Sequence, residues 1–204
     1  HPHVAGRIAV VHNGIIENHA ALREQFDEEY TSETDSEVAA HLLNREVRSG
    51  KGLTEAMRAV APQLEGAFTL VAIDAEEPQR IVAARRNSPL VVGMGEGEFF
   101  LASDVAAFIE FTREAVELGQ DQIVELDADG ITVTDFDGKP ADYKEFHVDW
   151  DLSAAEKQGF DWFMRKEIFE QPSAVADTLL GRQDERGELV LDELQIRPEE
   201  LRRV

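Results

Sequence analysis

The chain has 204 residues, of which 43% are hydrophobic and 30% are charged, with a formal net charge of -22 at pH 7 and no cysteine. The acidity disfavours nucleic acid and anionic membranes as partners, and the lack of cysteine excludes disulfides, thiolate metal sites and thiol nucleophiles from these residues. No apolar run is long enough to span a bilayer and the first residues, HPHVAG, show no secretion signal, so a cytoplasmic protein is expected.

The first predicted strand covers residues 8 to 11 and runs into Asn13-Gly14, a pair typical of tight hairpin turns. A helix is predicted from about 18 to 29, because three apolar residues recur there at helical spacing: Ala21, Leu22 and Phe26. Only Ile15 and Ile16 then remain for a strand that returns from the turn, which is short. Asn13-Gly14 is therefore open to two interpretations, a plain turn or a pair of hydrogen-bond donors for a ligand.

Two further helices are predicted before the chain changes character at Gly66. The first begins at Asp35 or Ser36, either of which can serve as N-cap, and ends at Gly50. Its apolar face consists of four residues at helical spacing: Val38, Leu42, Leu43 and Val47. The second runs from about Thr54 to Leu64.

Strand signals follow one another from residue 67 to residue 148. They lie in the segments AFTLVAI, RIVAARR, PLVVGMG, EFFLAS, QIVELDADGITVTDF and YKEFHV, with a short helix near 105 to 111. This order predicts an antiparallel β region of at least six strands with segregated helices, which is an α+β fold. From residue 152 the chain is predicted to be helical, with an apolar stripe that needs a covering surface: Phe160, Phe163, Met164, Ile168 and Phe169.

Few side chains in this sequence suggest chemistry on their own. An Asn amide next to a Gly backbone N–H is a donor pair of the kind that stabilises an oxyanion in acyl transfer. Asp35 is either a helix N-cap or a carboxylate that binds a ligand. A zinc site from His1, His3, His12 and Glu17 is a weak alternative, because no H-E-x-x-H motif accompanies these residues.

The order of several segments resembles one known family. These are HPH at 1 to 3, IAVVHNGIIEN at 8 to 18, SETDSEVAAHL at 32 to 42, LEGAFTLV at 64 to 71, AARRNSPLVVG at 83 to 93, ASD at 102 to 104 and FMRKEIFEQP at 163 to 172. They resemble the glutamine:fructose-6-phosphate aminotransferases, also called glucosamine-6-phosphate synthases. The HNG motif fits any class II glutamine amidotransferase, whereas FMRKEIFEQP is more specific and resembles the connection to a sugar isomerase domain.

The resemblance implies an N-terminal-nucleophile hydrolase fold, in which two antiparallel sheets lie between helical layers and the first strands precede His1. It implies a glutaminase domain over residues 1 to 150, incomplete at its N-terminus, and a helical connector over 151 to 204 that leads to an absent isomerase domain. The chain is thus expected to be cut at both ends. The family nucleophile, an N-terminal cysteine, would also precede His1, so the fragment alone is predicted to be inactive.

The same resemblance implies roles for individual residues. Asn13 and Gly14 are the expected oxyanion donors, Asp35 is expected to bind the α-amino group of glutamine, and His1 is expected to line the site, with no metal and no cofactor. Glutamine, and fructose 6-phosphate through the absent domain, are the expected substrates of a homo-oligomeric enzyme. Another class II amidotransferase and a non-catalytic glutamine-binding or assembly module are the alternatives.

Overall fold

The computed structural model describes residues 1–25, 28–149 and 159–179. The chain divides into two compact units, residues 1–152 and 153–204. In the described part, the helices and strands of the first unit are β1 (His3–Ala5), β2 (Ile8–Ile16), α1 (His19–Glu24), α2 (Ser36–Arg48), α3 (Leu53–Val60), β3 (Gly66–Asp74), β4 (Ile81–Arg86), β5 (Val91–Met94), β6 (Phe99–Ala102), β7 (Glu114–Glu117), β8 (Gln122–Asp127), β9 (Gly130–Asp135) and β10 (Lys144–His147).

The strands form two antiparallel sheets. The first has six strands in the order β1-β2-β3-β4-β8-β9, and the second has four in the order β10-β7-β5-β6. The α+β prediction is therefore confirmed. Two strands were not predicted, β1 and β7, because each is too short to show a clear alternation of apolar and polar residues.

Among the described residues of the first unit, the apolar side chains form two cores. One lies between the six-stranded sheet and helices α2 and α3, where the predicted face of α2 is buried, from Val38 to Val47. The other joins residues of the two sheets, with Val92 and Val116 from the second sheet packed in one cluster with Val124 and Leu126 of β8. Alternate residues of the central strands therefore face either a helix layer or the second sheet.

The helix after β2 is shorter than predicted. It covers His19–Glu24 and ends in a turn at Gln25, whereas the sequence predicted a helix to about residue 29. Phe26, one of the residues on which that prediction depended, lies outside the described residues. Residues 28–30 have no regular structure, and a loop from Thr31 to Asp35 leads into α2.

The second unit contains one described helix, α4 (Phe163–Leu179), with Pro172 inside it. Its apolar side chains are largely exposed, with 52% of Phe163, 72% of Met164 and 63% of Phe169 accessible. That residues 151 to 204 connect to a further domain stays a prediction. No helix among the described residues is both long enough and apolar enough to cross a membrane.

Candidate functional site

Asn13 and Gly14 lie inside a strand and not in a turn. β2 continues through them to Ile16, and the antiparallel pairing with β3 is unbroken, with Asn13 opposite Thr69 and Gly14 opposite Phe68. The hairpin-turn interpretation of this pair was therefore wrong. A local Asn-Gly preference for tight turns is outweighed here by nine consecutive pairs along β3, which also extend the strand beyond the predicted residues 8 to 11.

Gly14 has a backbone geometry that only glycine accepts readily. Its φ is +122°, and a Cβ built on it would lie 2.0 Å from the carbonyl oxygen of Ala67 in β3. Glycine within a strand often marks a place where another backbone or a ligand comes close. The backbone of β3 approaches one side of Gly14, so the close approach is visible in this structure.

Asn13 faces away from the helix layer, toward the second sheet. Along β2 the side chains of Val10, His12 and Ile16 are buried, whereas Val11, Asn13 and Ile15 are exposed. A cavity of about 120 Å³ lies beside Asn13, with walls from both sheets: Val11, His12, Thr69, Val71, Leu90, Leu101, Ala102 and Ser103. The Asn13 amide therefore opens onto a small, largely apolar cavity between the sheets.

Asp35 occupies the N-cap position of α2 without capping it. Its side chain makes no hydrogen bond to the N–H groups of its own helix. The Oδ2 atom instead accepts a hydrogen bond of 2.7 Å from the backbone N–H of Ile16, at the end of β2. Ile16 follows Gly14 by two residues, roughly 7 Å along a strand, so the fold brings Asp35 to the strand that carries Asn13 and Gly14.

His12 connects the strand to the start of α2. Its Nδ1 lies 2.8 Å from Ser36 Oγ, and the Ser36 hydroxyl donates a long hydrogen bond of 3.4 Å to Asp35 Oδ1. Burial lowers the pKa of His12 below its ordinary value of 6.5, while the Asp35 carboxylate acts in the opposite direction and His3 adds to the lowering. Among the described residues no group bonds the buried Nε2 of His12, which favours a neutral ring with one satisfied nitrogen.

His1 and His3 lie at the edge of the same region. The His1 ring contacts the His3 ring edge to face, at 5.4 Å between centroids, and His3 Nε2 lies 3.4 Å from Thr34 Oγ1, in the residue before Asp35. His1 itself is exposed. The geometry thus places His1 two contacts away from Asp35, and its role in lining the site stays a prediction.

The zinc alternative gains no support from this geometry. No three His, Cys, Asp or Glu side chains in the described ranges are placed to share a metal ion. His12 is turned toward Ser36 on the helix side of the sheet.

Sequence reasoning missed three residues that shape this region: Ser36, Glu37 and Arg23. Ser36 was considered only as a cap, and Glu37 and Arg23 were not considered. Glu37 bonds residues five and six positions before it, and Arg23 bonds residues nine and eleven positions after it. No periodic pattern has those spacings, although an acidic residue in the first turn of a helix is a common signal of a favourable dipole contact.

Protein families and curated proteins similar to this chain agree on one class. A family model described as a glutamine amidotransferase domain matches residues 1–110. Glutamine–fructose-6-phosphate aminotransferase (isomerizing) of Streptomyces coelicolor is 65% identical over 209 residues. The protein of the same name from Mycobacterium tuberculosis H37Rv is 54% identical over 217 residues. The chain is covered completely in both alignments and spans about a third of the relatives' length, 34% and 35%.

Similarity to solved structures concerns the fold alone. The glutamine phosphoribosylpyrophosphate amidotransferase from B. subtilis superposes with a TM-score of 0.54 at 23% identity, over 63% of this chain and 29% of that one. A structure described as the allosteric regulatory enzyme of purine biosynthesis superposes equally well, with a TM-score of 0.54 at 24% identity. The expected N-terminal-nucleophile hydrolase type of fold is thus confirmed.

Proposed function

The chain belongs to the family of glutamine amidotransferase domains, and from this premise we propose that it is the glutamine-hydrolysing part of a longer enzyme that converts fructose 6-phosphate to glucosamine 6-phosphate. Relatives named glutamine–fructose-6-phosphate aminotransferase (isomerizing), at 54% to 65% identity over the whole chain, support the sugar substrate. The product, glucosamine 6-phosphate, is the one implied by the resemblance described under Sequence analysis. A homo-oligomeric assembly is part of the same proposal.

One observation carries the proposal: Asn13 and Gly14 share a strand with the backbone group that anchors Asp35. The Asp35 carboxylate is held at Ile16, two residues after Gly14. The donors for a negative oxygen and the anchor of the carboxylate that can accept a positive amine then lie two residues apart on β2, roughly 7 Å along the strand. Glutamine carries both groups, a side-chain carboxamide and an α-ammonium group.

In the proposed reaction each residue has one task. The Asn13 amide and the Gly14 N–H stabilise the oxyanion that forms when a nucleophile attacks the side-chain carbonyl of glutamine. Asp35 accepts the α-ammonium group in a charge-assisted hydrogen bond, which distinguishes free glutamine from a residue within a peptide. His1 lines the site at its outer edge.

The chain contains no cysteine, the residue type that acts as nucleophile in this family. We infer that the cysteine of this family comes from the part of the full-length protein outside the 204 residues. The thioester formed with glutamine would be hydrolysed to glutamate, and the released ammonia would be passed to the sugar. The chain by itself is then expected to be inactive.

Replacing the Asn13 amide in the full-length protein tests the proposal. The variant Asn13→Ala is expected to lose glutaminase activity by about 100- to 1,000-fold, the usual effect of removing one oxyanion donor. Its fold should be retained, because the side chain is exposed and no described residue bonds it. Glutamate release and the melting temperature are measured together.

Asn18→Ala is the matched control for this experiment. The Asn18 amide is structural, since it donates to Gln63 O at 2.8 Å and accepts from Glu65 N at 3.1 Å. This variant should lose stability and keep its turnover. Activity of Asn13→Ala within threefold of wild type would refute the oxyanion assignment. Glutamine hydrolysis without formation of glucosamine 6-phosphate would instead indicate another amidotransferase, and absence of both activities would indicate a non-catalytic module.

A further inference from the structure

The loop of residues 31 to 35, hereafter the 31–35 loop, is held by two charged side chains from neighbouring helices. It carries Asp35 at its end and has no regular secondary structure. A loop whose backbone N–H and C=O groups are not paired within a helix or sheet needs other hydrogen-bond partners for them. Those partners are Glu37 on α2 and Arg23 on α1.

Glu37 binds the beginning of the loop through both carboxylate oxygens. Oε1 accepts hydrogen bonds from Thr31 N at 2.7 Å and Thr31 Oγ1 at 2.8 Å. Oε2 accepts from Ser32 N at 2.8 Å and Ser32 Oγ at 2.6 Å. The residue is 2% exposed, so water does not compete for these four contacts, and an ionised acceptor makes each of them stronger than a neutral one would.

Arg23 binds the carbonyl groups of the same loop. Its Nη2 donates to Ser32 O at 2.8 Å and to Thr34 O at 2.7 Å, and its guanidinium lies 4.4 Å from the centroid of the Tyr30 ring. Four donors of the loop therefore bond an anion, and two of its carbonyl groups bond a cation. Together the two side chains restrict the loop on both sides.

The last residue of the restrained loop is Asp35, whose carboxylate is proposed to bind the substrate. Asp35 directly follows Thr34, and its carboxylate accepts the hydrogen bond from Ile16 N across the gap to β2 and the long one from Ser36 Oγ. We propose that Glu37 is a positioning residue for recognition of the α-amino group, because it fixes the 31–35 loop and thereby holds Asp35 at the end of β2. This inference rests on the proposed function, since it assumes that Asp35 binds the amine of glutamine.

Selectivity for the α-amino group is the readout that separates positioning from mere structural support. In the full-length protein, kcat/KM is measured for L-glutamine and for glutaramate, which is glutamine without its α-amino group. Glu37→Gln places an amide nitrogen against donors and loses part of the four-bond contact. We expect the preference for glutamine over glutaramate to fall by roughly 10- to 100-fold, the cost of misplacing a binding group by about 1 Å. The loss should lie in KM for glutamine, and kcat should change little.

Glu46→Gln is the matched control. Glu46 lies on the same helix, its side chain is 14% exposed, and it pairs with Arg45 and Lys51 far from the loop in sequence. This variant should lose stability without losing the preference for glutamine. Arg23→Lys, which keeps the charge and removes the two-carbonyl contact, is a second test of the loop and should lose the preference as Glu37→Gln does.

Amide hydrogen exchange provides a measurement that does not depend on catalysis. The amides of Thr31 and Ser32 should exchange faster in Glu37→Gln than in wild type and in Glu46→Gln. Wild-type preference retained by both loop variants, or an equal loss for both substrates, overturns the inference alone. A wild-type enzyme that does not prefer glutamine to glutaramate overturns the assignment of Asp35 and the inference with it.

Discussion

Gly14 combines two restrictions that a larger residue cannot meet at once. Its positive φ disfavours any side chain, and the carbonyl of Ala67 occupies the space that a Cβ would need. The first restriction is conformational and the second is steric, so their contributions can be separated by comparison with a glycine that shows only one of them. Gly130, the first residue of β9, has a φ of +138°, and no described atom lies within 4 Å of the position that a Cβ would take there.

We expect Gly14→Ala to destabilise the protein more than Gly130→Ala. The positive φ should cost about 1–3 kcal/mol in either variant, and the contact with Ala67 should add about 1–3 kcal/mol of overpacking at Gly14 alone. Urea unfolding of both variants measures the difference. Equal losses at the two positions would show that β2 and β3 can separate enough to admit a methyl group.

Asp35 occupies the N-cap position of one helix, but its side chain bonds a residue outside that helix. Its position before α2 is that of an N-cap, yet its carboxylate bonds Ile16 N across the fold. The start of α2 is instead stabilised by Glu37 in its first turn, where a negative charge interacts favourably with the helix dipole. A carboxylate that accepts one backbone N–H and one hydroxyl keeps capacity for a further partner, since an ionised carboxylate offers several acceptor sites.

The start of α2 is the element on which the site depends most. Helix α2 packs against β1, β2 and α3 and buries one side completely. Its first turn holds Ser36 and Glu37, which reach His12 on the sheet and the 31–35 loop. The helix thus fixes the loop relative to β2, although neither contact belongs to regular secondary structure.

This contact predicts a specific dependence of stability on pH. Burial alone would raise the pKa of Glu37, but the hydrogen bonds from Ser32 and Thr31 outweigh it and lower the pKa from 4.5 to about 2. A depressed carboxylate pKa stabilises the fold fully above pH 4.5, and this contribution is lost as the pH falls through about 2. Its size is on the order of 3 kcal/mol.

Comparison of wild type with Glu37→Gln isolates that contribution. The difference in their free energies of unfolding should be largest at pH 6 to 7 and should shrink between pH 4.5 and 2, because the variant has no carboxylate to protonate. Denaturant unfolding at several pH values measures it. A difference that stays constant over this range would mean that the native pKa of Glu37 is not depressed.

At the scale of the whole molecule the dominant property is negative charge. Acidic residues number 42 and basic residues 20, which leaves a net charge of -22. A folded chain concentrates this charge and repels itself. Exposed pairs such as Arg80–Glu77 offset little of the repulsion, because surface ion pairs contribute weakly.

We therefore expect added sodium chloride to stabilise the protein. The Debye length falls from about 10 Å at 0.1 M salt to about 3 Å at 1 M, so repulsion between distant surface charges is screened before short buried contacts are affected. The melting temperature should rise over this range at pH 7. At pH 4, where many carboxylates are protonated, the rise should be smaller, and a fall at pH 7 would show that attractive surface pairs outweigh the repulsion.

Most elements of the first unit follow from local patterns in the sequence. Helix α2, the strands from β3 to β6, the β8–β9 hairpin and the α+β class all rest on periodicity and turn residues, which act between near neighbours. The motifs around Asn13 and Asp35 also identified the family, and they did so without coordinates. Burial of apolar faces and the turn preferences of glycine and asparagine are enough for that level of description.

The tertiary structure alone decided that Asn13-Gly14 continues a strand, that Asp35 bonds β2 and that Glu37 and Arg23 hold the loop between them. Each of these depends on a partner that is distant in the chain, such as β3 opposite Gly14 or Ile16 opposite Asp35. Local preferences for a turn or a helix cap are worth about 1 kcal/mol, and the accumulated pairing and packing of a folded sheet exceed them. The site is therefore a product of long-range contacts, although the residues that form it could be recognised in the sequence.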